Sequence, residues 1–156
     1  MERGELIVSG SETQSTERPA LARIVIADDH LAFRGMLSYL LEEEAGLQVV
    51  GQAEDGVEVL ELCRRLQPDL VVMDLRMPKM DGCEATRTIK KELPHTSVLA
   101  LTALTDPHHS SQVLEAGAEG CVLKYASLKE IVGAIRSVLR GELVATKGVT
   151  NNVTSE

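Results

Sequence analysis

Five side chains in this sequence have the types needed to hold a hard cation beside a nucleophilic carboxylate: Asp28, Asp29, Asp74, Thr102 and Lys124. They lie far apart in the chain, yet each follows a short apolar run. Ile24-Val25-Ile26-Ala27 leads to Asp28-Asp29, and Leu70-Val71-Val72-Met73 leads to Asp74. Val98-Leu99-Ala100-Leu101 leads to Thr102, and Cys121-Val122-Leu123 leads to Lys124. An isolated Asp after a strand simply starts a turn; polar chemistry at four separate strand ends asks for another reading. Three carboxylates brought within a few ångströms repel one another, which raises at least one pKa or recruits a cation. An all-oxygen ligand set selects Mg²⁺ or Mn²⁺ over zinc. Such an ion lowers the repulsion that a phosphoryl group meets on approaching Asp74, which can then act as nucleophile and form an acyl phosphate. Lys124 adds a compact cation and Thr102 a short hydroxyl donor.

The elements that must position these groups alternate. Strands are expected at 23–27, 47–51, 70–73, 97–101 and 121–123. The first, third and fourth are almost wholly apolar, as parallel strands covered on both faces require. Helical spacing links Phe33, Met36, Leu37, Leu40 and Leu41, with Gly46 as the expected C-cap. It also links Val59, Leu60, Cys63 and Leu66 behind Asp55 as a cap. A third helix runs from about Asp81 to Glu92, less clearly amphipathic, with capping-box spacing at Asp81 and Glu84. The fourth, behind Asp106-Pro107, is short, with Val113, Leu114 and Ala116 as its core candidates. The fifth carries Leu128, Ile131, Val132, Ile135, Val138 and Leu139 behind a Ser127/Glu130 capping box. This order predicts a doubly wound, flavodoxin-like α/β fold. Its five-stranded parallel sheet runs in the order 2-1-3-4-5, with helices on both faces. All strand C-termini then share one edge, where such sheets bind their ligands.

The 156 residues suit one domain with tails, and 44% apolar residues supply an aliphatic core. With no Trp, one Phe and two Tyr, base-stacking nucleic-acid binding is disfavoured, and so is a nonspecific nucleic-acid surface at a net charge of -8. Cys63, Cys83 and Cys121 form no CxxC and read as buried thiols in a reducing, cytoplasmic setting. No apolar stretch is long enough to span a membrane, and no signal peptide is expected. Residues 1–21 read as a disordered leader and 22–141 as the domain. Residues 142–156 read as a polar tail or the start of a linker.

The constellation resembles the receiver domain of two-component response regulators. The matching pieces are Asp28-Asp29, the Asp74-Leu75-Arg76-Met77-Pro78-x-Met80-Asp81-Gly82 segment, Thr102-Ala103 and Leu123-Lys124. Together they span roughly residues 22–141. The Asp28-Asp29-His30 run, the segment from Val49 to Gly56 and Gly117-Ala118-Glu119-Gly120 look most like the NarL/LuxR subfamily. The resemblance implies Asp74 as phosphoacceptor, fed by a phosphohistidine on a sensor histidine kinase. It implies Asp28, Asp29, Asp74 and the Arg76 backbone carbonyl as the Mg²⁺ ligands. Thr102, with Ala103 beside it, and Lys124 would bind the phosphoryl group. It further implies homodimerisation through the surface of helices four and five, and transcriptional output through a C-terminal helix-turn-helix domain absent from this chain.

Two residues depart from the family pattern. Cys121 stands where an aromatic switch residue is usual, so Thr102 has no ring to work with. Tyr125 follows the lysine where an acidic residue is common, and is expected to be half-buried. Three weaker features have ordinary readings: His30 as a residue of the first turn of helix one, His108-His109 as a solvated helix start, and Glu42-Glu43-Glu44 as a solvated helix end. Two other functions compete. An aspartyl-nucleophile phosphatase would place an acid two residues after the nucleophile, where this chain has Arg76, a group that cannot serve as an acid near neutral pH. A phosphorylation-independent interaction module is the remaining alternative, and Cys121 is what favours it.

Overall fold

The computed structural model describes residues 20–103 and 107–145. Within them the chain forms β1 (Ala22–Ala27), α1 (Leu31–Glu42), β2 (Leu47–Ala53), α2 (Gly56–Leu66), β3 (Leu70–Asp74) and α3 (Gly82–Glu92). It continues with β4 (Ser97–Thr102), α4 (Pro107–Glu115), β5 (Gly120–Leu123), α5 (Leu128–Leu139) and β6 (Val144–Ala145). The first 19 residues, most of the expected tail and the expected cap Asp106 lie outside the described residues.

All strands pair in parallel, in the order β2-β1-β3-β4-β5-β6. The expected 2-1-3-4-5 order is present. What the sequence did not suggest is a sixth strand, placed inside the expected polar tail, where Val144 and Ala145 lie beside Gly120 and Cys121. Two residues in a polar context carry no periodicity; the pairing arises because Gly120 admits the Val144 backbone. A Cβ on Gly120 would stand 2.9 Å from the Val144 carbonyl oxygen.

Alternation along the buried strands divides the core in two. Val25, Val71, Met73, Val98, Ala100 and Cys121 face α2, α3 and α4. Ile24, Ile26, Leu70, Val72, Leu99 and Val122 face α1 and α5. Helix starts follow local chemistry: Asp55 accepts from the Glu58 amide and Asp81 from the Glu84 amide. At α5, Ser127 and Glu130 cap each other's backbone reciprocally, a full capping box. Gly46 is not the cap of α1, which ends four residues earlier; its φ of 83° makes the turn into β2. Helix α3 is amphipathic after all. Its buried face uses small side chains, Gly82, Cys83, Ala85 and Thr86, which the apolar count undervalued.

Candidate functional site

Register brings the strand ends together. Ala27 lies opposite Met73, so Asp28 emerges beside Asp74. Asp74 pairs with Leu101, so Thr102 emerges on its other side. Thr102 pairs with Leu123, and the Lys124 amide donates to the Thr102 carbonyl at 2.7 Å. The loop after Asp74 is folded back by Gly82, whose amide donates to the Leu75 carbonyl at 3.0 Å. Only glycine fits there: a Cβ would stand 2.5 Å from the Asp74 carbonyl oxygen.

The side chains converge as the register requires. Asp28, Asp74, Thr102 and Lys124 are all buried, and Asp29 stands at the rim. Lys124 Nζ lies 2.8 Å from Asp28 Oδ2 and 3.6 Å from Asp74 Oδ2. The shorter contact is a buried ion pair at hydrogen-bond distance, and it helps to hold the lysine charged. Oxygens of Asp28, Asp29 and Asp74 and a ring nitrogen of His30 all lie within 4.8 Å of one another. Three carboxylates converging in this way form a hard-oxygen donor set, which fits a small divalent cation such as Mg²⁺. Asp74, Thr102, Ala103, Lys124 and the Arg76 side of the loop border a cleft of about 180 Å³. That is room for a phosphoryl group and waters.

Burial and then the neighbouring Asp28 push the Asp74 carboxyl up to about 6; Lys124 pulls the other way and does not cancel them. For Lys124, burial works against the ammonium, yet the Asp28 and Asp74 carboxylates outweigh it. Its pKa stands above the ordinary lysine value, so it is charged at neutral pH.

Several neighbours were not legible in the sequence. His30 takes the N-cap position of α1, with no capping bond from its side chain, rather than filling the first turn. Its Nδ1 lies 3.2 Å from Asp28 Oδ1, 3.3 Å from Asp29 Oδ1 and 3.0 Å from Lys124 Nζ. Phe33 places its ring 4.8 Å from the Lys124 ammonium. His109, read as a solvated helix start, is half-buried and borders the cleft, while His108 is exposed. Tyr125 is 74% exposed rather than half-buried, its ring edge-on to Phe33 at 6.5 Å. The turn after β5 carries it clear of the sheet. Cys121 is fully enclosed between the sheet and α4. Burial pushes its thiol up to about 11, against a hydrogen bond with Ser110 of α4 that acts in the opposite sense.

A parallel sheet ending in this cluster defines a class: residues 24–136 match the response regulator receiver domain, and the chain belongs to that family. Among individual relatives, it is 41% identical over 122 residues to the response regulator GacA of Pseudomonas viridiflava, covering 78% of this chain and 57% of that one. A LuxR-family two-component response regulator from Aurantimonas superposes with a TM-score of 0.81 at 34% identity, covering 87% of this chain and 97% of that one. The isolated receiver domain of Salmonella enterica RcsB, solved in the presence of the phosphomimetic BeF₃⁻, superposes with a TM-score of 0.77 at 28% identity, covering 84% and 97%. The grouping with LuxR and NarL regulators holds among solved structures. The chain spans little more than half the length of the GacA relative. Among the described residues, no helix is long and apolar enough to cross a membrane.

Proposed function

We propose that this chain is a phosphorylation-driven switch whose phosphoacceptor is Asp74. The observation that carries the reading is the buried Asp74 carboxylate, set beside the Lys124 ammonium and within 4.8 Å of the Asp28 and Asp29 carboxylates. Asp28, Asp29 and Asp74, with the Arg76 backbone carbonyl, would hold Mg²⁺ or Mn²⁺. Bound there, the cation neutralises charge on a phosphoryl oxygen.

The chain's own groups account for the transfer. An Asp74 carboxylate oxygen bonds to phosphorus as the bond from phosphorus to the phosphohistidine nitrogen breaks, and the imidazole leaves with that electron pair. From the border of the cleft, Lys124 and the Thr102 hydroxyl would stabilise the phosphoryl oxygens. The raised pKa of Asp74 means that a metal-free, acidic medium protonates the nucleophile and slows uptake. RcsB's receiver, with BeF₃⁻ present, supports a site of this kind in a relative. The donor is a sensor histidine kinase. The output is a shift of the α4/α5 surface that favours a homodimer, read out as DNA binding by a helix-turn-helix domain outside this chain.

The test is incubation with Mg²⁺ and acetyl phosphate, followed by intact-protein mass. Wild type should gain one phosphoryl group and Asp74→Asn none. Equal labelling of both would sink the reading; no labelling of either would point to the interaction-module alternative.

A further inference from the structure

Resting on the reading of Asp28, Asp29 and Asp74 as a cation pocket, we infer that His30 completes it: its Nδ1 ligates the divalent ion and tilts the pocket from Mg²⁺ toward Mn²⁺. The backbone sets this up. The His30 amide donates to Asp28 Oδ1 at 2.8 Å, a turn that brings residue 30 back toward the acidic pair. His30 holds the N-cap position of α1, yet its side chain makes no capping bond. Its Nδ1 lies instead 3.2 Å from Asp28 Oδ1 and 3.3 Å from Asp29 Oδ1. Adjacent ligands of an octahedral ion, each about 2.1 Å from it, stand about 3 Å apart. The nitrogen has that spacing to both carboxylates.

The same nitrogen already helps to hold a cation. Lys124 Nζ lies 3.0 Å from His30 Nδ1 and 2.8 Å from Asp28 Oδ2. An ammonium has donors and no lone pair, so Nδ1 meets it with a lone pair of its own. That lone pair then stands close to two carboxylate oxygens, which have only lone pairs to offer. A proton on Nδ1 would suit the carboxylates and oppose the ammonium. One nitrogen cannot satisfy all three neighbours. A divalent ion among Nδ1, Asp28 and Asp29 does, because all three turn lone pairs toward it, and Lys124 keeps Asp74 Oδ2 as a partner 3.6 Å away.

The consequence is selectivity. Carboxylates alone suit Mg²⁺, whereas an imidazole nitrogen adds affinity for transition metals. The donor set of His30 with three aspartates therefore separates Mn²⁺ from Mg²⁺ more than an all-oxygen pocket does.

The experiment titrates the full chain with Mn²⁺ and, separately, with Mg²⁺, as wild type, His30→Ala, His30→Ser and Asp29→Ala, and records pulsed electron paramagnetic resonance of the bound Mn²⁺. Wild type should show coupling of the ion to a nitrogen nucleus, and both His30 variants should lose it. Their Mn²⁺ affinity should fall about tenfold, no less than when a group that only supports a ligand is lost. Their Mg²⁺ affinity should change less than about threefold. Serine is a favoured helix cap, so a loss in His30→Ser does not come from a weakened α1. Nitrogen coupling absent from wild type, or persisting in His30→Ala, would overturn the inference while leaving the acidic pocket in place, as would equal falls for the two ions. Mn²⁺ binding untouched by Asp29→Ala would instead overturn the pocket itself.

Discussion

Helices α4 and α5 lie on opposite faces of the same edge of the sheet, yet they are built differently. Helix α5 is 12 residues long, closed by a reciprocal capping box, and buries Ile131, Val132, Ala134, Ile135 and Val138. Helix α4 is nine residues long and buries only Val113 and Ser110. Ser110 spends its buried position on a hydrogen bond with the Cys121 thiol rather than on apolar contact. A helix that fully buries one valine and one hydroxyl opens at lower free energy than one that buries an apolar stripe. The difference separates a supporting wall from a movable one, and the movable one carries His109 to the cleft.

The sharpest way to break this comparison is to load the site. With Mg²⁺ and beryllofluoride, backbone amide signals of α4 should shift far more than those of the α5 core face, and Asp74→Asn should abolish the response. Equal shifts in both helices would show that the contrast has no functional meaning.

Truncation tests the energetics. Ile135→Ala should cost about 2 to 5 kcal/mol in urea unfolding, because a fully buried side chain leaves a cavity against the sheet. Val113→Ala removes less volume, and α4 can settle into the gap. Its cost should be smaller, about 1 to 2 kcal/mol, and a larger cost than Ile135→Ala would invert the argument.

The Asp74 carboxyl makes a prediction of opposite sign. Its folded pKa, about 6, lies above the ordinary 3.8, so the folded state disfavours the charged form. The resulting penalty is absent below about pH 4, grows as pH rises between these values, and is complete above pH 6. In chelator at pH 7.5, Asp74→Asn should therefore stabilise the fold by roughly 1 to 3 kcal/mol. The gain should vanish near pH 3.5; a pH-independent gain would exclude this origin.

The smallest effect concerns the α5 cap. Ser127→Ala loses the bond to the Glu130 amide and should cost about 1 kcal/mol. Amide exchange should quicken in the first turn of α5 and stay unchanged in α4.

Much of this was legible before any coordinates. Runs such as Leu70–Met73 read as covered parallel strands because both faces are apolar, and Asp55, Asp81 and Ser127 announced helix starts through short-range hydrogen bonds. The acidic, hydroxyl and amine groups could be placed on one rim because strand polarity follows from the alternation of strands and helices. Tyr125 was misjudged because exposure of a residue past a strand end depends on which way its turn leaves the sheet.

By itself, then, the sequence determined whatever depends on neighbours a few residues away: periodicity, caps, strand polarity, and hence the edge on which Asp28, Asp74, Thr102 and Lys124 gather. Only the tertiary structure decided contacts between groups that share no local pattern. His30 among the carboxylates, Cys121 against Ser110, Val144 beside Gly120 and His109 beside the cleft each depend on side-chain direction and strand register. Distances of that kind are fixed by packing the whole core, which no short window of residues encodes.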